Sequence, residues 1–362
     1  MRIKRATKQY EAWLAERTPI VPADLALKHR HMTKGRYAFL RATFYRWAQL
    51  WPDVCAELAK APIVLSIGDL HVENFGSWRD KEGRLAWGVN DFDEAHRLPY
   101  TNDLVRLAAS AALAIDAGKL ALRVRAACDL LLSGYADGLT AGGKPYVLAE
   151  GQEWLLAAIT SQMRAPAAFW KRLEDLPTAQ APFPASAIRA LELLLPEHDL
   201  PYRVAHRVAG LGSLGRQRWV ALMDWRGGKL AHEAKALAPS AYCWAQASAG
   251  PQQLHYQTII SEAVRAPDPF VRIQDNWIVR RLAPDCTRID LESLAANRDE
   301  ERLLYAMGWE TANVHLGSRP AIQAVLSDLK NRPAEWLHTA VQQMVATITE
   351  DWEDWKRDPL DD

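Results

Sequence analysis

Two acidic segments, each placed directly after an apolar run, constrain how this chain can fold more than any other feature. Residues 62–67 lead into Gly-Asp-Leu-His-Val-Glu-Asn at 68–74, and residues 85–89 lead into Asn-Asp-Phe-Asp at 90–93. Short apolar runs of this kind are typical of buried β-strands. Because strand ends carry polar groups from a rigid core into a cleft, the two segments are expected to meet at one site.

The polar side chains of these segments are of the types that phosphoryl transfer uses. Asp69 is the candidate base that accepts the proton of an attacking hydroxyl, and His71 is a further candidate catalytic group. Asn74, Asp91 and Asp93 are the candidate ligands of Mg²⁺ or Mn²⁺, held against a triphosphate. A structural interpretation stays open, since Gly-Asp is common in turns and a histidine in such a loop often only orients the backbone.

A glycine-rich turn, Gly-Leu-Gly-Ser-Leu-Gly at 210–215, is the third element. Residues 216–222 contain aromatic and β-branched side chains and predict a strand, whereas a dinucleotide-binding fold needs a helix there. A strand, a glycine-rich turn and a second strand form the hairpin that covers the phosphates in protein-kinase-like enzymes. The candidate phosphate-binding residues are therefore Gly210, Gly212, Ser213 and Gly215.

Lys235 lies at the end of the next predicted strand, where such enzymes carry the lysine that contacts the α- and β-phosphates. Glu262, in a helix predicted over 252–266, is the candidate partner of this lysine, and Glu233 is a competing one. Arg41 shares a predicted helix face with aromatic residues and is a candidate to bind the phosphates or an anionic acceptor. An ordinary hairpin with a surface lysine is the alternative interpretation.

The composition is typical of a soluble globular protein that is large enough for two lobes. The chain has 362 residues, of which 49% are hydrophobic and 24% are charged. Its 44 basic and 44 acidic side chains cancel, which argues against a partner such as duplex nucleic acid. No signal peptide, membrane span or closely spaced cysteine pair is apparent, so a cytoplasmic location without a membrane partner is expected.

The order of predicted elements indicates an α+β fold. Helices are predicted for residues 1–60 and 101–195, with strands between them, and helices return at 298–355. Strands are predicted at 203–209, 216–225, 229–235, 270–273 and 277–282. This pattern predicts a helix-rich large lobe (1–199), a small antiparallel β lobe (200–285) and C-terminal helices (286–362) that return to the large lobe. Because the glycine-rich hairpin follows the Asp69 loop instead of preceding it, the expected protein-kinase-like two-lobe fold is circularly permuted.

Together these motifs resemble the bacterial family called domain of unknown function 2252, which is placed among kinase-like proteins. The similarity covers most of the chain and rests on residues 39–41, 68–76, 90–94, 103–107, 210–215 and Lys235. By its similarity to aminoglycoside phosphotransferases, the resemblance implies a base at Asp69, metal ligands at Asn74 and Asp91, and a buttress of the catalytic loop at Asp103. The chain departs from the pattern at Ala236, where an acidic residue is expected.

The expected function is that of an ATP-dependent phosphotransferase acting on an unidentified hydroxyl or amine acceptor, with ATP and Mg²⁺ or Mn²⁺ as cofactors. One alternative is a nucleotide-binding kinase-like protein with little phosphoryl transfer, or with nucleotidyl transfer. A metallophosphoesterase is a further alternative because Gly-Asp-x-His also occurs there, although the additional histidine segments of that class do not occur in this sequence. The choice between ATP and GTP, and between a sugar, an amine-bearing metabolite and a protein as acceptor, stays open.

Overall fold

A computed structural model describes residues 1–149, 151–162, 165–179, 183–247, 252–289, 291 and 299–360. Helices and antiparallel sheets alternate along the chain in a mixed α+β fold, as the sequence predicts. The N-terminal part contains α1 (Ile3–Ala15), α2 (Pro22–Met32), α3 (Arg36–Ala42), α4 (Phe44–Val54), β1 (Ile63–Ser66), β2 (Phe75–Arg79), β3 (Leu85–Val89) and β4 (His96–Pro99). It continues with α5 (Tyr100–Asp116), α6 (Val124–Ala141), β5 (Tyr146–Val147), α7 (Glu153–Gln162), α8 (Pro166–Glu174) and α9 (Ala185–Glu192).

The β-rich part forms one five-stranded antiparallel sheet. Its elements are β6 (Arg203–His206), β7 (Arg218–Trp225), β8 (Gly228–Ala236), α10 (Ala241–Ala245), α11 (Tyr256–Glu262), β9 (Arg272–Gln274) and β10 (Trp277–Arg281). The strands lie in the order β6-β7-β8-β10-β9, so β8 is central. Two smaller antiparallel sheets, β1-β4 and β2-β3-β5, hold the two acidic segments at their strand ends.

The chain ends with α12 (Glu300–His315), α13 (Ile322–Asn331) and α14 (Trp336–Arg357), which pack on the N-terminal helices. Arg46 on α4 forms a buried ion pair with Asp351 on α14, and Lys4 pairs with Asp358 at 2.5 Å. Residues from both ends of the sequence therefore share one hydrophobic core with β1–β3 and α5.

Helices α6 and α12 approach each other closely enough that their contact requires glycine. A methyl group on Gly308 would lie 2.1 Å from the carbonyl oxygen of Leu131, far inside van der Waals contact. This close packing places the C-terminal end of α12, and with it His315, beside the buried helix α5.

Two predicted elements are shorter than the sequence indicates. The strand predicted over 203–209 ends at His206, because the chain then turns into the glycine-rich loop. The helix predicted over 252–266 spans only Tyr256–Glu262. Its backbone becomes extended at Ala263, and the next amide, that of Val264, donates to the carbonyl of Asn313 at 2.9 Å. Among the described helices, none is long and apolar enough to cross a lipid bilayer.

Candidate active site

The buried carboxylate of Asp103 on α5 fixes the backbone of the loop that carries Asp69. Asp103 accepts hydrogen bonds from the backbone amides of Ile67 at 2.7 Å and Gly68 at 2.9 Å. His315 on α12 pairs with the same carboxylate at 3.0 Å. Gly68 has a φ of 82°, and a methyl group there would lie 2.3 Å from the carbonyl oxygen of Glu94. The loop conformation is therefore fixed before the Asp69 side chain is placed.

Asp69 points into the cleft and contacts a buried arginine. Its Oδ1 accepts hydrogen bonds from Nε of Arg106 at 2.9 Å and from Nη2 of the same guanidinium. Arg106 is fully buried and lies against the rings of Phe44 and Trp47. Asp69 Oδ2 faces the glycine-rich loop, since a methyl group on Gly212 would lie 3.2 Å from this oxygen. One carboxylate oxygen is thus anchored and the other faces the cleft.

Asn74 connects the two acidic segments. Its Nδ2 donates to the backbone carbonyl of Asp69 at 3.2 Å and to that of Asp91 at 3.1 Å. Its Oδ1 is buried and has no hydrogen-bond partner among the described residues. An unsatisfied buried carbonyl oxygen is costly unless a ligand completes its coordination. Asn74 Oδ1 and the Asp91 and Asp93 carboxylates are the oxygen ligands that Mg²⁺ prefers, so the residues present fit such an ion.

In the part of the chain that the structure describes, no group of three or more His, Cys, Asp or Glu side chains is arranged to hold a metal ion. The candidate set contains only two such side chains, Asp91 and Asp93, beside the amide of Asn74. That composition matches Mg²⁺ sites that use one or two carboxylates together with substrate phosphates, and not an all-protein cage.

Lys235, on the central strand β8, pairs with both of these carboxylates. Its Nζ lies 3.0 Å from Asp91 Oδ1 and 2.6 Å from Asp93 Oδ1. Burial alone would raise the pKa of Asp91, but the charges of Lys235 and Arg280 outweigh it and hold that pKa well below its usual range. Burial, together with the charge of Asp91, raises the pKa of Asp93. Asp91 therefore stays ionised and able to bind a cation.

The predicted glutamate partners of Lys235 lie elsewhere. Glu262 is exposed at the C-terminal end of α11, where its backbone lies beside Gly317. Glu233 is fully buried and pairs with three arginines, Arg207, Arg218 and Arg280. Asp91 and Asp93, which follow β3, pair with Lys235 in place of the expected glutamate.

The glycine-rich loop connects β6 and β7 and closes over Asp69. Gly210 and Gly215 have φ angles of 75° and 100°, which favour glycine. Lys28 on α2 donates to the carbonyl of Gly212 at 3.0 Å, and Arg218 donates to Ser213 Oγ at 2.8 Å. The loop predicted to cover phosphates therefore lies over the predicted base.

Arg41 and His71 both line this part of the cleft. Arg41 pairs with Glu73 at 2.5 Å. His71 Nδ1 accepts from the amide of Glu73 at 3.2 Å, and its carbonyl accepts from the amide of Asn74 at 2.8 Å. Burial, with the charges of nearby arginines, holds the pKa of His71 well below its usual range, so the ring is neutral. These contacts are those of a residue that shapes the loop.

Two adjacent cavities make up the cleft. The smaller has a volume of about 50 Å³ and is bordered by Asp69, His71, Asn74 and the glycine-rich loop. The larger, about 510 Å³, lies between the five-stranded sheet, α11 and β2, within the size range of small-molecule sites. Asp91, Gly210 and Arg288 border both, so one candidate metal ligand, Asp91, lies where the cavities meet.

Several basic residues of the cleft were not predicted as site residues. Arg106 contacts Asp69, Arg216 pairs with Asp93 at 3.2 Å, and Lys28 is buried beside the glycine-rich loop, where burial lowers its pKa to about 8. A signal for Arg106 exists in the sequence, because it is the one charge in the apolar-rich run 104–115. Arg216 directly follows the last glycine of the turn, and Lys28 opens a basic run at 28–31.

Comparison with known families bears on the N-terminal part of the site. Residues 17–168 match DUF2252, a family described as an uncharacterized protein conserved in bacteria. The predicted resemblance to DUF2252 is thereby confirmed for the part of the chain that contains Asp69, Asn74 and Asp91. The match ends before the glycine-rich loop and Lys235. Neither the curated proteins nor the solved structures contain a match to the chain.

Proposed function

We propose that this protein is an ATP-dependent phosphotransferase that acts on a hydroxyl or amine acceptor. The proposal rests on the observation that residues from distant parts of the sequence meet in one cleft. Asp69, Asn74, Asp91 and Lys235 meet in one cleft beneath a glycine-rich loop, although Lys235 lies 144 residues beyond Asp91 in the sequence. A carboxylate, an amide, a second carboxylate, a lysine and a glycine-rich turn are the recurring parts of phosphoryl-transfer sites.

Each residue has a distinct part in the proposed reaction. Asp69 Oδ2 takes the proton of the acceptor, while Arg106 holds Oδ1 and so fixes the direction of the carboxylate. Asn74, Asp91 and Asp93 would hold Mg²⁺, which when bound offsets the negative charge of the phosphates. Lys235 and the backbone amides of the glycine-rich loop bind the phosphate oxygens, and the closed loop excludes water from them.

We also propose that the fold is a circularly permuted kinase-like one. In support, the five-stranded sheet carries its glycine-rich turn after the first strand and its buried lysine on the third. The small lobe would comprise residues 200–285, and residues 1–199 and 286–362 would form the large lobe. The contact between Lys4 and Asp358 supports this arrangement, because permutation is tolerated where chain ends lie close together.

A nucleotide-binding protein with nucleotidyl transfer, or with little transfer at all, is the second candidate. The observation that favours it is the bond between Asp69 and Arg106, which is also what a purely structural carboxylate would make.

Labelled ATP tests the proposal and separates the two candidates. The full-length protein is first examined by thermal shift with ATP or GTP, each with and without Mg²⁺ or Mn²⁺. It is then incubated with ATP labelled at the γ- or the α-phosphate and a panel of sugars, amines and hydroxyl-bearing peptides. We expect metal-dependent stabilisation by ATP and transfer of the γ-label only. Transfer of the α-label indicates the second candidate, and absence of any nucleotide-dependent shift contradicts both.

A further inference from the structure

We infer that the larger cavity recognises its ligand chiefly through a chain of phosphate groups. The inference rests on the proposed function, because the same cleft would take the phosphoryl donor. It goes further by naming the chemical class that the cavity selects, a linear polyphosphate. Such a chain can come from a nucleoside triphosphate or from inorganic polyphosphate.

The charge of the cavity wall is the first support. Among the described residues, seven arginines line the cavity, against two acidic residues, Asp91 and Asp268. Arginine presents a planar fork of donors that matches phosphate oxygens in pairs, so a wall of this composition is complementary to several phosphates at once.

On the sheet wall, the arginines outnumber the acidic side chains that pair with them. Arg207, Arg218 and Arg280 all converge on a single carboxylate, that of Glu233, with Arg218 at 2.8 Å and Arg280 at 2.9 Å. Three cations around one anion leave an excess of positive charge on the sheet wall. Because uncompensated charge in a partly buried site is unfavourable, an anionic ligand would stabilise this wall.

Two further arginines lack an acidic partner among the described residues. The guanidinium of Arg265 lies 4.6 Å from the ring centre of Trp78 and 5.0 Å from that of Phe92, and its Nη1 is buried without a hydrogen-bond partner. Arg288 borders both cavities and forms no ion pair with any residue that the structure describes. These two side chains lie on the wall opposite the sheet, so a ligand in the cavity has donors on both sides.

The charged side chains of the sheet wall are expected to dominate binding. Val220 and Ala231 on this face are covered by Phe169 and Leu173 of α8. The cavity lining includes Arg218, Arg280 and Leu282 from the sheet side, and Phe92, Tyr256 and Ile260 from the other elements. Because charge-assisted hydrogen bonds are the stronger ones, most of the binding energy is expected from the phosphates.

Calorimetry with three probes tests the inference. The full-length protein is titrated with ATP, with inorganic tripolyphosphate and with adenosine, each in the presence of Mg²⁺. We expect tripolyphosphate to bind with a Kd within about tenfold of that of ATP, and adenosine to give no measurable binding. Binding of ATP together with failure of tripolyphosphate overturns the inference and leaves the proposed function standing. Binding of tripolyphosphate without ATP supports the inference and contradicts the proposed donor, and no binding of either overturns both.

An arginine variant with a matched control locates the binding. Arg288→Gln removes an exposed arginine from the junction of the cavities, and Arg123→Gln makes the same change at an exposed position before α6. Loss of one charge-assisted contact should weaken tripolyphosphate and ATP by about tenfold or more in the first variant only. Equal affinities in the two variants would mean that the phosphates do not bind at this wall.

Discussion

Lys235 and Asp93 form a buried ion pair at 2.6 Å that joins the five-stranded sheet to the end of β3. Asp91 adds a second contact to the same ammonium group at 3.0 Å. The pair brings together two segments that the sequence separates by more than a third of its length. In the proposed function, the lysine must exchange these carboxylates for phosphate oxygens when the nucleotide and Mg²⁺ bind. This arrangement therefore keeps Asp91 ionised and the lysine in place.

Asp91→Asn should abolish the metal-dependent stabilisation by ATP. Its carboxylate is the strongest candidate for binding Mg²⁺ against the phosphates, and an amide is a much weaker ligand for a hard cation. The melting temperature of the apo protein should fall only slightly, because Lys235 retains Asp93. Thermal shift with and without Mg²⁺ measures both effects. Asp129→Asn, an exposed change on α6, is the matched control. A normal ATP response in Asp91→Asn would remove this residue from the metal site.

Asp69→Asn should lower turnover by roughly 100-fold or more while ATP binding persists. The loss is on the scale of general-base catalysis, because an amide cannot accept the acceptor's proton. The amide oxygen can still accept from Arg106, so the fold is expected to survive. Turnover of γ-labelled ATP and thermal shift separate chemistry from binding. Unchanged turnover with the true acceptor would show that Asp69 is not the base.

Stability should depend on pH through Glu94, which lies next to Asp93. Burial raises the pKa of this carboxyl from 4.5 to about 7, and the folded protein therefore binds more protons than the unfolded chain between these values. The resulting stabilisation is complete below pH 4.5 and is lost as the pH rises through 7. Relative to Glu94→Gln, the wild type should lose up to about 3 kcal/mol of unfolding free energy across this range.

Denaturant unfolding at a series of pH values measures this difference. The exposed substitution Glu82→Gln serves as the control and should follow the wild type. Parallel curves for the wild type and Glu94→Gln between pH 4.5 and 7 would show that Glu94 titrates normally in the folded state.

Gly308→Ala should destabilise the protein strongly, by about 1–3 kcal/mol or more, because the added methyl group forces α6 and α12 apart. Gly35→Ala is the matched control. Nothing lies within 4 Å of a methyl group at Gly35, and its backbone is extended there. The free energy of unfolding in denaturant compares the two. Similar values for both variants would mean that the helices adjust to the larger side chain without loss.

The parts of the site that could be predicted are those set by local pattern. The strands before Asp69 and Asp91 follow from short apolar runs, and the hairpin around residues 210–215 follows from glycines between two β-prone segments. The partner of Lys235 could not be found in this way. Glu262 lies on the helix after the lysine strand, as predicted, but it is exposed at the end of α11, whereas Lys235 is buried against Asp91 and Asp93.

The sequence by itself determined the mixed α+β class, the antiparallel strands and the residue types at the strand ends, because periodicity and turn chemistry act over a few residues. Only the tertiary structure decided which charges meet. Arg106 reaches Asp69 because α5 is buried under the loop, and the arginines surround Glu233 because β6, β7 and β10 bring them to one face of the sheet. Such pairings depend on how distant apolar surfaces pack against each other, and no local pattern contains that information.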